Sequence, residues 1–451
     1  MEVDTQKSKI SGNIRGTDVQ ATIQQVLAGE HIGHKVRLHC WVHNKRDSKN
    51  VAFLILKEGA DTLQSVVSVE NKKLFDEVVK VDREASVVVE GLVKKDERAP
   101  GGYELSLESV IVVGGAQDFP ITKKEHTNID FLLNLRHLWI RSPKQAAIQI
   151  IKADVLKSIR KFLDERGYFE LFPPIFTGVK GEGGSDVFSL KYFDTKAYLS
   201  QTAQLYLEAG LFPLKKTYAL TPSFRAEKSN TTRHLTEYWH LEIEEAWMDF
   251  EGLKKIMEEM VCRVVFDLLN TRRKELMLAR EDDLSELEKI KAPFPRVSYD
   301  KAIEILQKEG FKIKWGEDFG TPEEKAVSDE YGVPVLIYEF PRKIKAFYMK
   351  EGRMEKGRET VLGCDLIAPG GFGEIIGGSV RETDYDSIVK RLKENKEKVE
   401  TYSWYLDLRK YGSVPHVGFG LGTERLVRWI CKLDNIREAA LFARAPNRLF
   451  P

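Results

Sequence analysis

Phe224-Arg-Ala-Glu227, a polar loop of six residues, and His234-Leu-Thr-Glu-Tyr238-Trp-His-Leu-Glu242-Ile-Glu244 form the most informative run of this 451-residue chain. Two β-like segments flank a loop of Lys, Ser, Asn, Thr and Arg. Arg225, Arg233 and His234 offer planar, charge-assisted donors to phosphate oxygens, and Tyr238 offers a ring face on which a base stacks. The same residues also suit an exposed charged hairpin, and the run alone does not separate the two. A second run, Gly418-Phe-Gly-Leu-Gly-Thr-Glu-Arg425 ahead of Leu426-Val-Arg-Trp-Ile430, sets glycines before a helix. Arg425 then falls in the first turn, where backbone N–H groups and the dipole favour an anion. The spacing is neither GxGxxG nor GxxxxGK[ST], which disfavours a dinucleotide or kinase-like fold.

Outward from these runs, the chain from 143 to 451 alternates helices and strands. The period predicts a long helix over Gln145 to Arg166, ended by Gly167, and a strand over Tyr168 to Phe172. A helical block follows at Phe250 to Leu276, then a solvated charged helix at Arg280 to Lys289, a glycine-rich strand-turn-strand at Val361 to Arg381, and a charged helix at Tyr385 to Lys398. Nearer the start, Val36–Val42, Val51–Leu56, Leu63–Val69, Ala85–Gly91 and Tyr103–Val113 are β-rich, with one helical stretch near Lys72 to Val81. Five strands in so short a span suggest a small closed barrel such as an OB-fold. Residues 1–30 read as a polar extension, 31–116 as the barrel, 117–142 as a hinge or linker, and 143–451 as the larger domain.

Composition narrows the options further. Seventy Lys and Arg against 69 Asp and Glu give a net charge of +1, which excludes a wholly basic nucleic-acid coat and an acidic disordered tail. Between His31 and Lys57, however, six cations (residues 35, 37, 45, 46, 49 and 57) face only Asp47, a local +5. Cys40, Cys262, Cys364 and Cys431 lie far apart and read as buried thiols of a reducing cytosol. No apolar run reaches signal-peptide or bilayer-spanning length, so a soluble, cytoplasmic protein without membrane attachment is expected.

At this point the residues reach a resemblance. A helix and strand ending in Phe169-Glu-Leu-Phe-Pro173-Pro174, then FRAE with a loop and HxxxY, then GLGTER, resemble motifs 1, 2 and 3 of the class II aminoacyl-tRNA synthetases, in that order. The segments are about 150–174, 218–244 and 416–430. A barrel ahead of this core, and Arg136-His-Leu-Trp-Ile-Arg141, are similar to the aspartate, asparagine and lysine subgroup. The resemblance implies an α+β fold class: an N-terminal OB-fold β-barrel plus a catalytic domain with a mixed, mainly antiparallel sheet flanked by helices. Ser200-Gln-Thr-Ala-Gln204-Leu-Tyr-Leu207-Glu208 puts Leu207 where the aspartate enzymes hold a lysine for the substrate carboxylate. A neutral carboxamide needs no lysine, so the resemblance points to the asparagine branch, of the archaeal and eukaryotic cytosolic type.

Roles then follow from the resemblance. ATP would meet Arg225 at the α-phosphate, Glu227 at the adenine, Tyr238 as the stacking ring, and Arg233, His234, Gly422 and Arg425 around the phosphates, with Arg225 and Arg425 the catalytic pair. Asp365 and Glu374 match the carboxylates that carry Mg2+. Asparagine would meet Glu182 at its α-ammonium, Gln204, Leu207, Tyr348, Ser379 and Arg381, with Glu227 or Glu208 as the acceptor for its amide. In the barrel, Arg46, Phe53, Gln64 and Glu104 match positions facing the anticodon; Phe53 also suits a barrel core. A homodimer through motif 1, with L-asparagine, ATP and tRNA(Asn) as partners, is implied. Two other activities compete: an amidating paralogue, which would lack the barrel, and a non-catalytic RNA-binding relative, which would lack the charged residues.

Overall fold

The computed structural model describes residues 19–122, 128–181, 186–228, 231–355 and 357–451. It divides into two compact units, Met1–Pro143 and Lys144–Pro451. In the first, β1 (Lys35–Asp47), β2 (Val51–Glu58) and β3 (Asp61–Ser68) form an antiparallel meander. Helix α1 (Lys72–Lys80) leads to β4 (Ser86–Lys95) and β5 (Tyr103–Gly114). Strand β5 pairs in parallel with β3 and antiparallel with β4, and β4 returns to β1, so the sheet closes on itself. Alternation explains the closure. Ala52, Leu54 and Leu56 of β2 join Val36, Leu38, Val87 and Val89 in the barrel core, while the odd-numbered Phe53 points to the other, half-exposed face.

Much of the local positive charge of the barrel is cancelled within it. Lys35 pairs with Glu108, Arg37 with Glu90, and buried Lys57 with Glu84. What remains is a smaller patch: Lys45, which donates to the Val79 carbonyl at 2.8 Å, with Arg46 and Lys49 exposed beside it. The expected hinge is not irregular throughout. Ile129–Asn134 and Arg136–Trp139 are short helices, too brief to show a period in sequence, that bury Leu132, Leu133 and Arg136.

The second unit is built on eight strands: β6 (Phe169–Glu170), β7 (Lys216–Phe224), β8 (Glu237–Ala246), β9 (Arg296–Ser298), β10 (Val335–Tyr338), β11 (Gly363–Ala368), β12 (Gly373–Val380) and β13 (His416–Gly422). Their order is β9-β10-β11-β12-β13-β8-β7-β6. All inner pairings are antiparallel, and the parallel ones sit at the two edges. Helix α2 (Pro143–Asp164) and helix α3 (Gln204–Leu214) precede β7, and helix α4 (Phe250–Thr271) follows β8. Ile148, Ile151, Val155 and Ile159 of α2 and Met257, Val261 and Val264 of α4 share one core with Leu241, Ile243, Phe419 and Leu421 of the sheet.

Three elements differ from expectation. The strand after α2 is cut to two residues, because Pro173 and Pro174 donate no N–H and Phe172 is exposed. The helical block ends at Arg272, whose Nε reaches Asp154 at 2.5 Å, and helix α5 (Arg273–Arg280) starts anew. The charged stretch 280–289 is not a solvated helix. Past Arg280, the last residue of α5, only Ser285–Glu288 is helical, and Arg280 is buried, donating to the Ile430 carbonyl at 2.8 Å.

Candidate active site

Glycine on β13 opens the centre of the sheet. The run Gly418-Phe-Gly-Leu-Gly422 is a strand rather than a loop, and it pairs with the acidic end of β8: Glu244 lies opposite Gly418 and Glu242 opposite Gly420. A Cβ on Gly418 would lie 2.0 Å from Glu244 Oε1, and one on Gly420 would lie 2.5 Å from His240 Nε2. No side chain fits there, and the space goes to the polar groups of β8. Two adjoining cavities open to solvent result, sharing Arg225, His240, Glu374 and Gly420.

Arg225, Glu227, Arg233, His234, Tyr238, Glu374, Gly422 and Arg425 all border the first cavity, so every described residue expected to meet ATP is gathered there. The hairpin β7-β8 places them: Arg225 follows the last residue of β7, its N–H bonded to the Thr236 carbonyl at 3.0 Å. Its guanidinium sits 5.8 Å from the Tyr238 ring centroid. Arg425 stands in the first turn of helix α6 (Thr423–Ile430) and donates to the Glu374 carbonyl oxygen at 3.0 Å, with the Glu374 carboxylate 3.6 Å away. Arg233 Nη1 donates to Thr321 Oγ1 and Glu324 Oε2, both at 2.8 Å. His234 departs from expectation in its charge. Burial, with Arg425, Arg233 and Arg225 around it, pushes its pKa down to about 4, so near neutral pH it is an uncharged ring rather than a charge-assisted donor.

Gln204, Tyr348, Arg381, Asp365 and Glu374 border the second cavity. Arg381 is fully enclosed, its Nε and Nη2 gripping the Glu244 carboxylate at 2.5 to 3.2 Å and its Nη1 donating to Ser379 Oγ at 2.8 Å. Burial pushes the Glu244 carboxyl up, against the pull of Arg381 and with the push of nearby Glu208. Asp365 accepts from Lys345 Nζ at 2.5 Å; burial and the nearby Glu374 push it up to about 7 against the pull of Lys345. Glu374 goes the other way: burial opposes its charge, but Arg425, Lys345, Arg225 and Arg233 outweigh it and hold its pKa low.

Three expectations are not met as stated. Leu207 is not in the cavity wall but packs with Ala203, Ala219 and Leu171 in a small apolar cluster. Glu227 borders the first cavity rather than the second, and Glu208 borders neither, being enclosed behind Gln204. Glu182 lies outside the described residues. Conversely, Thr202, His240, Glu242 and Lys345 border the second cavity and were not singled out as site residues. Glu242 accepts from the Thr202 hydroxyl and from the Ala203 N–H, the latter at 2.6 Å. The signal for Glu242 and Glu244 is visible in the sequence: acidic residues alternating with Leu241 and Ile243 on a central strand, opposite glycines.

In the barrel the four anticodon candidates lie along one face. Arg46 pairs across strands with Phe53, Phe53 with Val66, and Gln64 with Glu104. Gln64 Nε2 donates to Glu104 Oε2 at 2.8 Å. Among the described residues no helix is long and apolar enough to cross a membrane, and all four cysteines are free.

Comparison with known proteins agrees with this geometry. Residues 128–446 match the family of class II tRNA synthetases (D, K and N), and residues 36–113 match the OB-fold nucleic acid binding domain. The chain is 51% identical to the asparagine–tRNA ligase of Thermococcus kodakarensis over 420 residues, covering 93% of this chain and 96% of that one. It is similar to the crystal structure of asparaginyl-tRNA synthetase from Pyrococcus horikoshii complexed with asparaginyl-adenylate, with 49% identity, a TM-score of 0.88, and 94% and 97% of the two chains covered. The Entamoeba histolytica asparaginyl-tRNA synthetase, also in complex with asparaginyl-adenylate, gives 31% identity, a TM-score of 0.86, and 97% and 100% coverage. With motifs 2 and 3 bordering one cleft in the second unit and an OB-fold barrel forming the first, the chain belongs to the class II tRNA synthetases of the D, K and N family.

Proposed function

We propose that this chain activates L-asparagine with ATP to asparaginyl-adenylate and transfers the asparaginyl group to the 3′ end of tRNA(Asn), in the cytoplasm. The observation that carries the choice of amino acid is Arg381 at the second cavity, held from behind by the enclosed Glu244 and with Glu242 bordering the same cavity. A carboxamide presents one acceptor and two donors; Arg381 supplies the donor and Glu242 the acceptor for its NH2 group. The carboxylate that reads the amide is then Glu242, not Glu227 or Glu208. Leu207, held in its apolar cluster, offers no ammonium to a substrate carboxylate.

In the first cavity Tyr238 stacks on the adenine, Glu227 accepts from its amino group, and Arg233, neutral His234 and Arg425 line the path of the β- and γ-phosphates. The asparagine carboxylate oxygen attacks the α-phosphorus in line; the new O–P bond forms as the bond to pyrophosphate breaks, and pyrophosphate leaves toward Arg425. Arg225, shared by both cavities, stabilises charge developing on the α-phosphoryl oxygens. The donor chemistry suits Mg2+: a Cβ on Gly377 would lie 3.0 Å from Glu374 Oε1 and 3.3 Å from Asp365 Oδ1, so two hard carboxylate oxygens converge beside the phosphate path. The ion would neutralise phosphate charge there. The terminal ribose hydroxyl of tRNA then attacks the adenylate carbonyl and AMP departs, a step that positioning and electrostatics carry without a dedicated base. The exposed run of Phe169, Phe172, Ile175 and Phe176 after α2 is the reason to propose a homodimer formed through motif 1.

Phe53, Gln64, Arg46 and Glu104 present the barrel face for unstacked anticodon bases. Charging of total tRNA with labelled asparagine and not aspartate is the expected result; charging with aspartate alone refutes the assignment. Phe53→Ala is expected to raise KM for tRNA about tenfold or more while leaving tRNA-independent adenylate formation intact. An unchanged tRNA KM would remove Phe53 from the RNA-binding face.

A further inference from the structure

Behind the second cavity lies buried charge that the chemistry above does not use. Glu208 on α3 is completely enclosed and accepts from Gln204 Nε2 at 3.0 Å, the Tyr405 hydroxyl at 2.9 Å, Arg409 Nη2 at 2.5 Å and His416 Nε2 at 3.1 Å. His416 Nδ1, in turn, lies 2.7 Å from the Val414 carbonyl. Burial opposes the Glu208 charge, but Arg409 and His416 outweigh it and hold the carboxyl far below its usual range. Both His416 nitrogens thus face groups that only accept.

Carboxylate oxygens of Glu208 and Glu244 and a ring nitrogen of His416 lie within 4.8 Å of one another. This is a balanced network rather than a cation site, since guanidinium groups already fill it. Glu208 is answered by Arg409 and His416, and Glu244 by Arg381. Glu242 accepts from Thr202 and the Ala203 N–H. Each of these buried carboxylates is therefore answered by a guanidinium or by hydrogen-bond donors. Lys345 and Asp365, also bordering the cavity, cancel each other, and His240 Nδ1 shares a hydrogen bond with the Ser223 hydroxyl at 3.2 Å.

We propose that Glu208 determines specificity without touching the substrate: by taking up the positive charge of Arg409 behind Arg381, it leaves no unmatched cation behind the cavity, so the cavity takes a carboxamide and turns away a carboxylate of the same length. Glu208 is thus a positioning residue, and its role rests on the asparagine reading of the cavity. An aspartate side chain would add a buried anion with no cation free behind the cavity to offset it.

The test is ATP–pyrophosphate exchange with asparagine and aspartate, in wild type and in Glu208→Gln. Removing one anion leaves one cation unmatched. The asparagine-to-aspartate ratio of kcat/KM is expected to fall roughly tenfold or more, through a lower KM for aspartate. Adding Arg409→Gln removes a matching cation and is expected to restore the ratio, although a residue needed only for packing would make the double variant worse. If Glu208→Gln does not fold, Arg409→Gln alone reports with the opposite sign: inhibition of asparagine activation by aspartate weakens or stays absent. An unchanged ratio in Glu208→Gln, a double variant no closer to wild type, or stronger aspartate inhibition in Arg409→Gln overturns the proposal. Wild-type exchange without any response to asparagine would instead overturn the reading of the cavity.

Discussion

Arg425→Ala is expected to lower asparagine-dependent pyrophosphate exchange by about 10²- to 10³-fold, with the folded state intact. The side chain stands in the first turn of α6, fixed by one bond to the Glu374 carbonyl and otherwise turned to the cavity. It is partly open to solvent, so its removal leaves no buried unpaired group of its own and the melting temperature should hardly move. The loss should fall on kcat as well as on KM for ATP, because an arginine that meets departing pyrophosphate acts most strongly where charge develops. Arg425→Lys keeps the charge without the planar fork and should recover only part of the rate. Wild-type exchange from the alanine variant would contradict the role.

The second large effect belongs to Glu244. Glu244→Gln is expected to lower kcat/KM for asparagine about 100-fold or more, leaving KM for tRNA unchanged. A glutamine amide sets a donor against the Arg381 guanidinium, where the carboxylate accepted from it, and so displaces the group that meets the substrate amide. Aspartate should gain in the same variant, since its carboxylate can then take the place left open on Arg381. Glu244→Ala goes further: both partners are enclosed, and an unmatched Arg381 should cost about 3–5 kcal/mol of stability. Steady-state exchange with each amino acid, together with thermal melts, measures both. A Gln variant that activates asparagine at the wild-type rate would remove Glu244 from the positioning of Arg381.

How far the sequence spoke for itself differed from element to element. The barrel strands were legible because β-branched alternation and turns recur at short intervals, and α2 because its apolar residues keep a helical period over its whole length. Arg225, Tyr238 and Arg425 could be grouped from sequence because phosphates and a purine demand a few residue types at fixed places, and the fold brings all three to one cavity. Pairings between distant segments were not. Nothing local shows that Lys345 answers Asp365, that Arg409 reaches Glu208, or that Glu84, Glu90 and Glu108 take up half the cations of the barrel's basic run. Leu207 was assigned by position to the cavity wall, yet one residue's step around α3 turns it into an apolar cluster and brings Glu208 into the buried network. Arg280–Lys289 misled for the same reason: a charged composition suggests solvent, although Arg280 is buried on the Ile430 carbonyl.

The central claim is that a cavity bordered by Arg381 and Glu242, with Glu244 holding Arg381 from behind, selects asparagine. Pyrophosphate exchange by the purified full chain, with ATP, Mg2+ and one amino acid at a time, tests it most directly. The account predicts exchange with asparagine and at least about 100-fold weaker exchange with aspartate; exchange driven by aspartate, with none from asparagine, would contradict it.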